Sequence, residues 1–309
     1  MTTSIGFIGL GMMGLPMAGN LTRNGTYHVL AYDLNAQPFE VLSRHASWGV
    51  NLFKADSLAQ LESCNYIIVM LPNSTVTNRV IEGDDATQGL IDILQPGTTI
   101  IDMGSSNPSE TLRLCRLLAP RGIQLVDAPV SGAVAKAVSA QLTIMVGCDE
   151  ERLNDLRPIL EQIGTSLVAT GGIASAHTMK ALNNYVYAAG LLAACEALNI
   201  AESLGLDLSV FSYILNSSSG RNVATETKLE QFIISGTYSG GFSLGLQAKD
   251  LKTAASLQEM SGVKAAQLTA CADLWSQAAA RLPADADNTE IHKYLRLMSE
   301  TQREREAAQ

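Results

Sequence analysis

The sequence predicts an α/β fold in which a doubly wound parallel sheet is followed by an all-α domain, joined to it through a long helix. Three observations carry this prediction. Short apolar segments of strand length alternate with helical segments over residues 1–170. A glycine-rich turn follows the first apolar segment, and residues 171–309 contain only helical signals. We therefore expect two domains with a boundary near residue 170.

The first predicted strand, Ile5–Ile8, leads into Gly9-Leu-Gly-Met-Met-Gly14, which opens a helix that continues to Asn24. In a turn of this pattern the first glycine permits the tight bend and the second lets the backbone approach a pyrophosphate. The third lets the helix pack closely on the strand. The second predicted strand, Tyr27–Tyr32, is followed by Asp33. A carboxylate there accepts hydrogen bonds from a free ribose diol and repels a 2′-phosphate, so the sequence predicts a Rossmann-type domain that favours NAD over NADP.

Further strands and helices continue the alternation. The predicted strands are Tyr66–Pro72, Thr98–Met103, Gln124–Asp127, Leu142–Val146 and Ser166–Ala169, and the predicted helices are Val76–Ile81, Ser109–Ala119 and Glu151–Ile163. Ligands of such sheets bind beyond the carboxyl ends of the strands. This makes candidates of three loops, Met70–Asn73, Gly104–Asn107 and Pro129–Gly132, although each is also compatible with ordinary turn chemistry.

The second half begins with residues 175–204, which contain no proline and one glycine and predict one long helix. His177, Lys180 and Asn184 are spaced three and four residues apart, so they share one face of that helix. A lysine beside an asparagine is a candidate pair for proton transfer, but the residues alone also describe a lysine whose stem lies on the surface. His177 is more typical of a structural histidine. Lys249 and Asp250, on a later predicted helix, are compatible with an exposed ion pair.

Composition excludes several classes of protein. The 309 residues are 47% hydrophobic and carry a formal charge of −9, which disfavours binding to nucleic acid and to anionic membrane surfaces. The first 22 residues carry no charged side chain, but they lack a basic start and are interrupted by glycines, unlike a signal peptide or a membrane span.

The cysteines occur singly and are odd in number, with no paired spacing and no adjacent histidine pair. They are Cys64, Cys115, Cys148, Cys195 and Cys271. This pattern argues against a disulfide framework and against a metal site, and it favours a reducing, cytoplasmic location.

Four segments, in this order and at this spacing, resemble the β-hydroxyacid dehydrogenases. That family includes 3-hydroxyisobutyrate dehydrogenase, tartronate semialdehyde reductase and L-threonate dehydrogenase. The segments are Ile8–Ala18 with Asn20, Asp127–Gly132, Lys180–Asn184, and Gly241-Phe242 together with Lys249–Leu251.

The resemblance implies an NAD-dependent oxidoreductase that moves a hydride between a small β-hydroxy or 2-hydroxy carboxylate and nicotinamide. It implies Lys180 as the catalytic acid/base and a homodimer or homotetramer. It further implies that Ser131, Gly132, Ala133 and Asn184 bind the substrate. The glycine-rich motif and the resemblance together assign these residues to the cofactor: Gly9, Leu10, Gly11, Met12, Met13, Gly14, Asp33, Leu71, Pro72, Asn73, Ser105 and Lys249.

Two departures from the family pattern concern the backbone. Ala133 stands where the family usually has a second glycine after Ser-Gly, and Ala174 begins a segment before the lysine that is commonly glycine-rich. Both exchanges make the backbone less permissive. They indicate a subfamily with its own substrate.

Two other functions remain open. A decarboxylating relative of the 6-phosphogluconate dehydrogenases would need a basic phosphate pocket, yet Arg221 is the only arginine between Arg157 and Arg281. A sensor that binds NAD without chemistry is the second, since a fold alone does not establish function. Short-chain dehydrogenases are disfavoured because no tyrosine is followed by a lysine four residues later.

Overall fold

The computed structural model describes the backbone of residues 3–307 and the side chains of residues 3–300. The chain divides into two compact units, one ending at Lys180 and the other beginning at Ala181. This division falls inside a long helix, Ser175–Ser203.

The first unit contains the strands of the described chain. They are β1 (Thr3–Ile8), β2 (Tyr27–Tyr32), β3 (Leu52–Lys54), β4 (Tyr66–Val69), β5 (Gly83–Asp84), β6 (Thr87–Gln88), β7 (Thr99–Asp102), β8 (Gln124–Asp127), β9 (Val130–Ser131), β10 (Leu142–Val146) and β11 (Gly164–Ala169).

Six of these strands form a parallel sheet in the order β3-β2-β1-β4-β7-β8, as the doubly wound prediction requires. The register places Ile8 beside both Tyr32 and Val69, so the carboxyl ends of three neighbouring strands meet at one edge. Strand order reverses between β1 and β4, and ligands of this fold class bind at such a switch point. Buried side chains such as Ile5, Phe7 and Ile68 fill the sheet faces, and each contributes about 1.5–3 kcal/mol through burial.

A second sheet, β11-β10-β9, was not anticipated from the sequence. Its β10 and β11 run parallel, whereas β9 is antiparallel to β10. The predicted strands Leu142–Val146 and Ser166–Ala169 therefore do not extend the main sheet. The helix predicted to reach Asn24 ends at Asn20, because a turn follows in which Gly25 takes a φ of +66°.

Seven α-helices are described in the first unit before the long helix begins. They are α1 (Gly14–Asn20), α2 (Gln37–Leu42), α3 (Ser74–Glu82), α4 (Leu90–Ile93), α5 (Pro108–Leu118), α6 (Ala133–Val138) and α7 (Glu150–Leu160). The long helix, α8 (Ser175–Ser203), has the bounds that the sequence predicts to within one residue.

The second unit is helical throughout its described part, as predicted. It continues α8 and adds α9 (Leu208–Ser217), α10 (Leu244–Ser261), α11 (Ala266–Arg281) and α12 (Ile291–Ala307), with a π-helical stretch over Thr225–Ile234. Its core includes the fully buried Trp275 and Tyr294. Across residues 3–307, no helix combines the length and apolarity that crossing a bilayer needs.

Candidate functional site

The glycine-rich turn joins β1 to α1 at the switch point of the main sheet. Gly9 takes a φ of +97°, in the left-handed region that favours glycine. Nothing lies within 4 Å of the position that a Cβ of Gly11 would take, so the chain leaves open space on that side of the loop. A Cβ on Gly14 would collide with the carbonyl oxygen of Gly9. The loop therefore combines a tight bend with an exposed backbone surface that a pyrophosphate can approach.

Asp33 ties the end of β2 to this loop. Its Oδ2 accepts a hydrogen bond of 2.7 Å from the backbone N–H of Leu10, and its Oδ1 accepts one of 2.7 Å from that of Asn35. The carboxylate is thereby held beside the glycine-rich turn, at the end of the second strand. Folds of this class bind the ribose diol at that position. Together with the open side of Gly11, this arrangement fits a dinucleotide. Met12 is exposed beside Gly11, and Met13 is half-buried.

The loops after β4 and β7 approach the same turn. The Leu71 side chain lies 3.0 Å from the position of a Gly9 Cβ, and the Leu71 carbonyl oxygen lies 2.8 Å from that of a Gly104 Cβ. Ser105 is half-buried directly after Gly104, and Pro72 is exposed. Asn73 caps α3, since its Oδ1 accepts a hydrogen bond of 3.0 Å from the N–H of Val76. The structure thus gathers the predicted cofactor residues of this unit at one edge of the sheet.

The predicted substrate loop connects β9 to α6. Ser131 is half-buried, Gly132 takes a φ of +139°, and Ala133 takes a φ of +57°. A residue with a Cβ in the left-handed region costs about 1–2 kcal/mol. The backbone of this chain is therefore strained at Ala133, where the family usually has its second glycine.

Asp127 is a buried carboxylate whose role the sequence did not identify. Its Oδ1 accepts a hydrogen bond of 2.8 Å from the N–H of Ala174, and its Oδ2 accepts one of 2.9 Å from that of His177. Amides in the first turn of a helix have no partner within the helix, so Asp127 satisfies groups that would otherwise be orphaned at the start of α8. A Cβ on Gly147 would collide with this carboxylate. The signal in the sequence was a charged residue at the end of an apolar strand.

Asp102 is the neighbour of Asp127 in the sheet register. Its Oδ1 accepts a hydrogen bond of 3.0 Å from the N–H of Gly104, and its Oδ2 accepts one of 2.7 Å from Ser106 Oγ. His177 is buried nearby, with Nδ1 2.8 Å from Thr111 Oγ1. This hydrogen-bonded environment agrees with the structural role that the sequence favoured for His177. Lys180 follows three residues later in α8 and is half-buried.

In the second unit, Asp250 joins two of the predicted site residues. Its Oδ2 accepts a hydrogen bond of 2.6 Å from Asn184 Nδ2, and its Oδ1 lies 2.8 Å from Lys249 Nζ. Gln247 Nε2 donates a hydrogen bond of 3.3 Å to the Asn184 carbonyl oxygen. Asp250 is buried, so the pair is not the exposed ion pair that the sequence also allowed. The sequence did not predict this positioning role of Asp250.

The loop that leads into α10 is held from two sides. Asp287 Oδ2 accepts hydrogen bonds of 2.7 Å and 3.1 Å from the N–H groups of Gly241 and Phe242. Lys228 Nζ donates a hydrogen bond of 2.8 Å to the Gly240 carbonyl oxygen. Burial lowers the pKa of the Lys228 ammonium below its ordinary value. These hydrogen bonds hold the loop in place directly before α10, the helix that carries Lys249 and Asp250.

Four of the five cysteines are buried, and Cys115 is half-buried. Burial raises the pKa of the Cys64, Cys148 and Cys271 thiols to about 11, so these thiols are protonated near neutral pH. Within residues 3–300, no group of three or more His, Cys, Asp or Glu side chains is arranged to hold a metal ion.

Comparison with known proteins gives two adjacent family matches. Residues 4–172 match the NAD binding domain of 6-phosphogluconate dehydrogenase. Residues 174–295 match the model described as NAD-binding of NADP-dependent 3-hydroxyisobutyrate dehydrogenase.

Individual relatives and a solved structure agree with these matches. The 2-(hydroxymethyl)glutarate dehydrogenase of Eubacterium barkeri is 38% identical over 248 residues, covering 80% of this chain and 79% of its own. The NAD-dependent L-serine dehydrogenase of Pseudomonas aeruginosa is 33% identical, covering 80% and 82%. The structure of Mycobacterium tuberculosis 3-hydroxyisobutyrate dehydrogenase with L-serine is 28% identical and superposes with a TM-score of 0.83, covering 96% of this chain and 100% of its own. The chain therefore belongs to the β-hydroxyacid dehydrogenase family and is an NAD-dependent oxidoreductase that acts on a CH–OH group.

Proposed function

We propose that Lys180 is the acid/base of this enzyme. The hydroxyl proton of the substrate passes to Lys180 Nζ as the carbinol C–H bond breaks and the C=O bond forms, giving a semialdehyde or keto acid. A nicotinamide dinucleotide held by the glycine-rich turn and Asp33 would supply the acceptor for the hydride and its two electrons. Free lysine has a pKa of about 10.4, and a positively charged nicotinamide bound nearby would favour the neutral amine that this step needs.

The observation that most supports this role is the anchoring of the first turn of α8. Asp127 accepts hydrogen bonds from two backbone amides there, and His177 is fixed by Thr111. Lys180 lies one turn further along the same helix. A base that must meet a small hydroxyl group benefits from such a rigid mounting, since misplacement by about 1 Å costs about 100-fold in rate.

The other predicted residues divide between substrate and cofactor. We propose that the loop Ser131–Ala133 binds the substrate carboxylate and that Asn184 orients the substrate. Asp250 holds Asn184 and Lys249 in fixed positions, and we place Lys249 near the nicotinamide. The residues that we assign to the dinucleotide are Gly9, Leu10, Gly11, Met12, Met13, Gly14, Asp33, Leu71, Pro72, Asn73 and Ser105.

We propose a small β-hydroxy or 2-hydroxy carboxylate as the substrate class. The relatives are named for 3-hydroxyisobutyrate, L-serine and 2-(hydroxymethyl)glutarate, each of which places a carboxylate close to a hydroxyl group. In this proposal residues 1–170 form the cofactor-binding domain and residues 171–309 form the domain for substrate and association.

A panel of hydroxy acids tests this proposal, each offered with NAD and with NADP while the absorbance of the reduced cofactor is followed. We expect turnover of at least one panel member, faster with NAD than with NADP. Calorimetric titration of NAD in the same preparation is the control. Tight NAD binding with no turnover of any member would instead indicate a sensor.

We propose that the protein forms a homodimer or homotetramer through its helical unit. α9 exposes Val210, Tyr213 and Ile214 at helical spacing, with Tyr213 70% exposed. Ile200 and Leu204, near the end of α8, are also exposed. Large apolar side chains exposed along one face of a helix are typical of association sites. Light scattering should give a mass of two or four chains, and Tyr213→Glu should lower it.

We propose a cytoplasmic location. All five cysteines are free in the structure, and a reducing compartment keeps thiols in this form. Fractionation of expressing cells should find the protein with cytosolic markers.

A further inference from the structure

Lys136 lies against the loop that we assign to the substrate carboxylate. A Cβ built on Gly132 would be 2.7 Å from Lys136 Cδ, 2.8 Å from its Cβ and 3.2 Å from its Cγ. The aliphatic stem of Lys136 therefore occupies the space that a side chain at residue 132 would need. Its ammonium group is separated from Cδ by a single methylene group.

Helix geometry explains this contact. Lys136 is the fourth residue of the six-residue helix α6, and Gly132, four residues earlier, immediately precedes that helix. Cα–Cβ bonds of a helix tilt toward its N-terminus, so a long side chain points back over the residue four positions earlier. Gly132 presents no side chain there and leaves the stem a bare backbone surface to lie on.

The charge of Lys136 is unused within the described chain. Among residues 3–300, no carboxylate forms an ion pair with Lys136, and the residue is exposed. The chain as a whole carries a formal charge of −9, which repels an anionic substrate. A doubly charged substrate therefore depends on local cations more than a singly charged one does.

We propose that Lys136 binds a second carboxylate of the substrate and so directs this enzyme toward hydroxy dicarboxylates. One carboxylate binds at Ser131–Gly132, and the distal one meets the Lys136 ammonium beside that loop. This inference rests on the proposed function of the loop. It assigns Lys136 to specificity, with no part in the proton or hydride transfer.

The test compares 2-(hydroxymethyl)glutarate, a dicarboxylate, with 3-hydroxyisobutyrate, a monocarboxylate, using NAD and the full chain. Lys136→Met keeps the stem on Gly132 and removes the charge, and Lys136→Arg keeps the charge. Lys264→Met removes one positive charge from an exposed position in the second unit and serves as the matched control. Thermal unfolding of each variant checks that the fold is retained.

We expect Lys136→Met to raise KM for the dicarboxylate about 10-fold, since a charge-assisted contact contributes about that factor, with KM for the monocarboxylate changed less than about twofold. Lys136→Arg and Lys264→Met should both leave the ratio of the two KM values near that of the wild type. Added salt should raise KM for the dicarboxylate more in the wild type than in Lys136→Met, because salt screens the attraction.

Three results overturn the inference. They are an equal loss for both substrates in Lys136→Met, no change for either, and a wild type that oxidises the monocarboxylate but not the dicarboxylate. Each of these leaves the proposed function standing. A wild type that oxidises neither of these acids nor any other member of the panel contradicts the proposed function itself, and the two failures are therefore distinguishable.

Discussion

Each unit contains a buried carboxylate that holds predicted site residues or the backbone next to them, and the two carboxylates have different partners. Asp127 in the first unit accepts hydrogen bonds from backbone amides at the start of α8. Asp250 in the second unit holds the side chains of Asn184 and Lys249. A group that binds the backbone fixes the course of the chain, whereas one that binds side chains fixes only their orientation. Stability should therefore depend mainly on Asp127, and activity without loss of fold should depend on Asp250.

The largest effect is expected for Asp127→Ala. Removing the acceptor orphans two buried amides, and hydrogen bonds to a charged group contribute about 1.5–3 kcal/mol each, so the free energy of unfolding should fall by about 4 kcal/mol. Urea unfolding at neutral pH measures this change. Asp155→Ala, which removes a carboxylate at an exposed position in the same unit, should change stability by less than about 0.5 kcal/mol. A loss below about 1 kcal/mol in Asp127→Ala would contradict the anchoring role.

Asp250→Asn should chiefly affect activity. The amide keeps one oxygen that can accept from Asn184 but loses its charge toward Lys249, so kcat/KM should fall by about 100-fold. The free energy of unfolding should fall by less than it does in Asp127→Ala. Glu259→Gln, on an exposed part of the same helix, is the matched control and should be silent. If Asp250→Asn unfolds the protein as readily as Asp127→Ala, the contrast between the two carboxylates fails.

His292 should make the second unit sensitive to acid. Burial, with a smaller effect of the nearby Arg296, lowers its pKa from 6.5 to about 4. The unfolded chain therefore binds the proton more tightly than the folded chain does, and stability is present above pH 6.5 and lost as the pH falls toward 4.

Linkage gives a loss of about 2 kcal/mol in the free energy of unfolding between pH 7 and pH 5 from this residue. Urea unfolding at the two pH values should show a smaller loss in His292→Gln than in the wild type. His28→Gln, at a half-buried position in the first unit, should keep the full loss. Equal pH dependence in the wild type and His292→Gln would show that the acid sensitivity lies elsewhere.

The smallest effect is expected for Ala133→Gly. Ala133 is exposed with a φ of +57°, so glycine relieves backbone strain there without removing a buried methyl group. Stability should rise by about 0.5–1 kcal/mol in chemical unfolding. Ala135→Gly, two residues later inside α6, should instead lower stability by about 1 kcal/mol. A destabilising Ala133→Gly would mean that the methyl group packs against something.

Sequence reasoning recovered elements whose signals are local. The bounds of β2, β8 and β10 agree with their predictions because each is a short apolar run between polar residues. The short helices α2 and α6 were missed because each has only six residues and little periodicity. The second sheet was missed because the antiparallel pairing of β9 with β10 depends on contacts that no local pattern encodes.

The same contrast between local signals and distant contacts applies to the residues of the candidate site. The glycine-rich turn and the position of Asp33 could be predicted from the sequence, because their geometry follows from spacing along the chain. The positioning roles of Asp127 and Asp250 were not predicted, because these roles lie in hydrogen bonds to residues 47 or more positions away. A charged residue at the end of an apolar strand is the signal that would have identified Asp127.

The central claim is that Lys180 transfers the hydroxyl proton, and the most direct measurement is turnover and NAD binding in one preparation of Lys180→Met. This variant keeps most of the side-chain length and removes the amine. We expect kcat to fall by about 10²–10⁴, the usual contribution of a positioned acid/base, while the Kd for NAD changes less than about twofold. Turnover within about tenfold of the wild type, with NAD still bound, would contradict the assignment.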